Sequence, residues 1–109
     1  MADCNNEIHE NDVGTEFIVT IVECDASGVE TPIDISSASN MEIVFLKADA
    51  TKDTFAASFV TDGLDGEMHY FTLAGDLTPA GNYKLQGIVT TPAGKWYSTR
   101  EKFKVVPNL

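Results

Sequence analysis

Apolar residues along this chain recur every second position in short runs, and the runs end at clusters of Gly, Asp, Asn and Pro. That period of two is the signature of strands with one buried face. From Thr15 to Glu23, Phe17, Val19 and Ile21 alternate and predict a first strong strand. Asp25-Ala26-Ser27-Gly28 predicts a turn, and Thr31 to Ile35 a short extended piece that Pro32 confines to an edge. Asn40 to Ala48 predicts a strand with Met41, Ile43 and Phe45 inward, and Thr54 to Val60 another with Phe55, Ala57 and Phe59 inward. Glu67 to Leu73 is ambiguous, because Met68 and Tyr70 share one face while Phe71 and Leu73 share the other. Asn82 to Thr90 predicts a strand with Tyr83, Leu85 and Val89 inward. Lys95 to Val106 reads as one last strand with Tyr97, Phe103 and Val105 inward, which turns Trp96 outward. No stretch sustains the i, i+3, i+4, i+7 spacing of an amphipathic helix.

About seven strands with this spacing of turns predict an all-β protein, a sandwich of two antiparallel sheets. The 109 residues suffice for one domain. Residues 1–12 read as a flexible, acidic N-terminal arm, with a short strand around Ile8, and residues 13–109 as the sandwich. Pairs of outward apolar side chains on the predicted strands single out Val44, Leu46, Ile88 and Trp96 as a candidate interface, because contiguous apolar patches on soluble domains mark contact surfaces.

The formal net charge of −10 argues against nucleic acid, which is bound through Lys and Arg, and against anionic membrane. The charge is unevenly placed. Residues 1–79 hold 16 acids and two bases, a balance of −14, and residues 80–109 hold five bases and one acid, a balance of +4. The asymmetry favours head-to-side association of identical copies, unless the fold itself brings the two halves together and neutralises them. The opening residues carry no apolar leader, and synthesis in the cytoplasm is the expectation. Cys4 and Cys24 are too few for a disulfide framework; free thiols are expected, with their pairing left open.

Candidate chemistry is sparse. Asp62, Asp65 and Glu67 crowd together as calcium ligands do, but without EF-hand spacing, and Asp-Gly turns explain them. His9 and His69 with a cysteine are zinc-type donors without zinc-type spacing. No nucleophile motif or phosphate loop is present. The sequence therefore assigns no catalytic, cofactor or metal site, expects no small-molecule ligand, and reads as a non-enzyme.

The segment Asp76-Leu77-Thr78-Pro79-Ala80-Gly81-Asn82-Tyr83-Lys84-Leu85 is laid out like the corner between strands E and F of immunoglobulin-like domains, where a Tyr bonds back to upstream backbone. Tyr83 takes that place. The order Val13-Gly14-Thr15, Pro32-Ile33-Asp34-Ile35, Asp62-Gly63, Asp65-Gly66, Ala74-Gly75-Asp76-Leu77 and Ala93-Gly94-Lys95-Trp96-Tyr97 resembles the N-terminal immunoglobulin-like domain of phage baseplate upper proteins and related virion domains. The resemblance implies an immunoglobulin-like sandwich and a phage virion structural role: baseplate, tail-fibre adaptor, neck or capsid decoration. It further implies a homo-oligomer that contacts other virion proteins and resides in the virion. The alternative is a carbohydrate- or host-surface-binding module of the same fold, with Trp96 and Tyr97 stacking on sugar.

Overall fold

A computed structural model describes residues 8–108. In chain order the strands are β1 (Ile8–His9), β2 (Glu16–Thr20), β3 (Val22–Cys24), β4 (Glu30–Pro32), β5 (Asn40–Leu46), β6 (Lys52–Ala56), β7 (Ser58–Phe59), β8 (Glu67–Phe71), β9 (Gly81–Thr91), β10 (Gly94–Tyr97) and β11 (Glu101–Val106). The larger sheet runs β1-β11-β9-β5-β6, with β10 also on β9. A smaller sheet runs β2-β8-β7, and β3-β4 form a hairpin. All pairings are antiparallel except β1 on β11. The all-β sandwich is thus the fold.

The core fills the space between the two sheets. Ile43 and Phe45 of β5 and Tyr83, Leu85 and Val89 of β9 meet Phe17 and Val19 of β2 and Met68 of β8. Phe45 is the hub of an aromatic cluster, with ring centroids 5.1 Å from Phe17, 5.0 Å from Phe55 and 5.5 Å from Phe103. Edge-to-face pairs of this kind add about 0.5–1.5 kcal/mol each beyond the area they bury. The sheets approach closely at Gly87, where a Cβ would lie 2.4 Å from Met68 Cε and 2.7 Å from Val19 Cγ1.

Three predicted strands are each broken in two. The run over Thr15 to Glu23 ends its first pairing at Thr20, because the Ile21 N–H turns to Gly66 O (2.9 Å). The run over Thr54 to Val60 is split at Ala57, whose N–H goes to Met41 O (3.0 Å), so β6 stays in the larger sheet and β7 crosses to the smaller one. The last run is interrupted at residues 98–100, and this break changes which residues face inward. Trp96 pairs with Val89 and points with it toward the core, while Tyr97 pairs with Ile88 and is 55% exposed. The expectation of Tyr97 inward and Trp96 outward is therefore reversed. A strand read as continuous carries its parity through, and an irregular segment resets it. Across β8 the register settles the ambiguity without a bulge: Met68 and Tyr70 face Val19 and Phe17, and Phe71 and Leu73 are exposed.

Of the predicted arm, residues 1–7, including Cys4, lie outside the described residues. Residues 8–12 are attached to the sandwich: β1 pairs with β11, Glu10 N–H donates to Val106 O (2.8 Å) and Asn11 N–H to Leu77 O (2.9 Å). Cys24 is an exposed thiol at the end of β3.

Candidate recognition face

The outward positions of the larger sheet form rows that the register defines. Lys52, Leu46, Lys84 and Lys102 make one row across β6, β5, β9 and β11. Thr54, Val44 and Gln86 make the next, then Ala56, Glu42, Ile88 and Tyr97. Lys95 continues the face on β10, with its Nζ 5.5 Å from the Tyr97 ring centroid, and Lys104 continues it on β11 opposite Asn82. Arg100, in the break between β10 and β11, reaches the same place. Six of the chain's seven bases therefore share one sheet face, and Glu42 is the acid that the register puts among them. The seventh base, Lys47, is engaged elsewhere: its Nζ lies 2.9 Å from Asp53 and donates to Thr78 O (3.1 Å).

A groove of about 470 Å³ crosses this face, with Val44, Leu46 and Ile88 as its apolar floor and Lys52, Lys84, Arg100 and Tyr97 around it. A second groove of about 530 Å³ adjoins it at Leu46 and Lys84 and runs between Lys102 and Lys104. None of the six cations forms an ion pair among the described residues. Clustered, unpaired like charges raise the energy of the isolated fold and present a positive potential to solvent.

The structure brings Val44, Leu46 and Ile88 together, and it puts Tyr97 beside them in the place the sequence pointed to for Trp96. The cationic rows were missed by sequence reading. The signal was available: Lys84, Lys102 and Lys104 alternate with inward residues and all take outward parity.

The break that exposes Tyr97 and Arg100 is held by Ser98. Its buried Oγ accepts from Gly87 N–H (2.7 Å) and donates to Thr99 O (3.0 Å), replacing a ladder bond that the departing strand would leave open. Gln86 Nε2 donates to Ser98 O (2.9 Å) and ties the groove to the same segment.

Tyr83 occupies the predicted corner, with its hydroxyl donating to Pro79 O (2.6 Å). Asp62 and Asp65 carboxylates accept from the backbone N–H groups of Leu64 and Glu67, both at 3.0 Å, in the turns expected of them. His69 Nδ1 lies 2.6 Å from Glu16 Oε2 on the outside of the smaller sheet, and His9 stands on β1. Among the described residues no three His, Cys, Asp or Glu side chains converge on a metal-sized site.

Comparison with known proteins corrects the resemblance. No family model matches the chain, and no curated protein matches it. Among solved structures the fold is that of CopC from Methylosinus trichosporium OB3b, with a TM-score of 0.54 over 99% of this chain and 95% of that one. Sequence identity is 16%, so the likeness establishes a CopC-like β-sandwich. It also overturns the phage reading. CopC shares this architecture over nearly its whole length, and neither a family model nor a curated relative supports a baseplate upper protein. The baseplate, tail, neck and decoration roles are withdrawn with their virion location, and so is the alternative of a host-surface or carbohydrate module. The turn order that suggested them is a property of small sandwiches, where Asp-Gly and Gly-Asn turns recur for backbone reasons.

Proposed function

We propose that this protein is a non-catalytic recognition module that binds an acidic surface of another protein with the outer face of its larger sheet. The observation that carries this reading is the gathering of six of seven bases around the apolar floor of Val44, Leu46 and Ile88. The ionisable groups around the groove are cations and one phenol on an open sheet face, equipment for matching charge and apolar area.

The charge distribution also selects the class of partner. Away from this face the described residues carry 14 acids and one base. A long polyanion or an anionic bilayer meets that field as well as the cationic rows. A compact acidic surface of a protein meets chiefly the rows themselves.

A synthetic peptide of alternating Glu and Leu residues is a suitable probe. It is expected to bind in a salt-dependent way, and the double variant Lys84→Glu, Arg100→Glu to weaken binding about tenfold or more. Binding that is unchanged in the variant, or absent in the wild type, overturns the reading.

A further inference from the structure

We infer that the acidic surface this face takes is the outer face of the smaller sheet on a second copy of the same chain. The inference rests on the recognition reading above and names its partner.

The smaller sheet presents the complementary chemistry. Its outward rows pair Glu16 with Phe71, Ile18 with His69, and Thr20 with Glu67. Ile18 and Phe71 are 48% and 49% exposed, a large apolar area for strand residues of a soluble fold. The bond from Gly14 N–H to Thr72 O (2.8 Å) sets residues 13–14 beside residues 72–73, and Val13 and Leu73 are both exposed there. The apolar patch of the smaller sheet is thus flanked by Glu16 and Glu67, and that of the larger sheet by Lys84, Lys102 and Arg100. One face supplies cations around an apolar floor; the other supplies acids around apolar side chains.

The geometry follows from the sandwich. The inner faces of the two sheets are consumed by the core, so the two outer faces point in opposite directions. A contact between unlike faces is heterologous, and each copy that joins leaves one of each face free. Association therefore continues into a chain or closes into a ring, and high salt weakens it.

Sedimentation and light scattering of the wild type test this directly. The mass is expected to exceed the monomer, to rise with protein concentration and to fall with salt. Lys84→Glu, Arg100→Glu blocks the larger-sheet face, and Ile18→Asp, Phe71→Asp blocks the smaller-sheet face. Each double variant is expected to be monomeric with an unchanged far-ultraviolet spectrum. An equimolar mixture of the two is expected to form a 1:1 dimer and stop there, because one intact face of each kind remains. A wild type that is monomeric at every concentration, self-association that survives either block, or a mixture that yields no dimer overturns the inference. A monomeric wild type that still binds the Glu-Leu peptide through Lys84 and Arg100 removes only the self-partner. Loss of both removes the recognition reading as well.

Discussion

Lys84 of β9 and Lys102 of β11 stand directly opposite one another on the outside of the larger sheet, two cations where an opposite-charge pair is the stabilising choice. Leu46 and Lys52 extend the row on the other side of Lys84. Isolated folding gains nothing from this arrangement. Lys102→Glu is expected to raise the unfolding free energy of the monomer by about 0.2–1 kcal/mol through a cross-strand pair with Lys84. The same change is expected to weaken peptide binding. Urea unfolding set beside peptide titration checks the opposite signs; a variant that loses stability removes the argument that this pair serves recognition.

Ser98 is the fastening of the broken edge. Ser98→Ala leaves the buried Gly87 N–H without its acceptor and is expected to cost about 1–3 kcal/mol. Hydrogen exchange of the Gly87 amide is expected to speed up more than that of amides on β2. Equal protection in variant and wild type contradicts this role.

Gly66 and Gly28 separate the effect of a positive φ from that of close packing. Both are left-handed, at φ 76° and 83°. A Cβ on Gly28 meets nothing within 4 Å, so Gly28→Ala is expected to cost about 1–2 kcal/mol from backbone strain alone. At Gly66 a Cβ would lie 2.7 Å from Ile21 O, which accepts from Ile33 N–H, and 2.9 Å from Ile33 O, both backbone atoms. Gly66→Ala is expected to cost a further ~1–3 kcal/mol. Denaturation midpoints of the two variants decide the matter, and equal midpoints defeat it.

Tyr83 links the corner to alkaline stability. Burial pushes its hydroxyl up to about 12, and the carboxylates of Asp49, Glu10 and Asp53 add to the shift. Burial and the hydrogen bond to Asp76 also raise Tyr70. A phenol ionises near 10 when unfolded. Its folded value is higher, so its contribution to stability is intact below pH 10 and declines as the pH rises toward 12. Unfolding free energy is expected to fall across that window, and the fall to be smaller in Tyr83→Phe. A flat profile there refutes the linkage.

The period-two pattern of residues such as Phe17, Val19, Ile43 and Phe45 determined by itself that the chain is all-β, and it named most of the core. Burial of one strand face is a local property, visible in alternating residue types. The corner at Tyr83 was legible for the same reason, since the hydroxyl reaches a carbonyl only four residues upstream. Tertiary structure decided the rest. Ala57 divides β6 from β7 because its N–H finds a partner on β5, a contact that no local pattern encodes. Trp96 and Tyr97 exchange faces because three irregular residues reset the parity between β10 and β11. The cationic face exists only because antiparallel pairing lines up Lys52, Lys84 and Lys102 from three distant parts of the chain. Alternation says which side a residue takes, but register decides whom it stands beside, and register is set by hydrogen bonds between strands far apart in sequence.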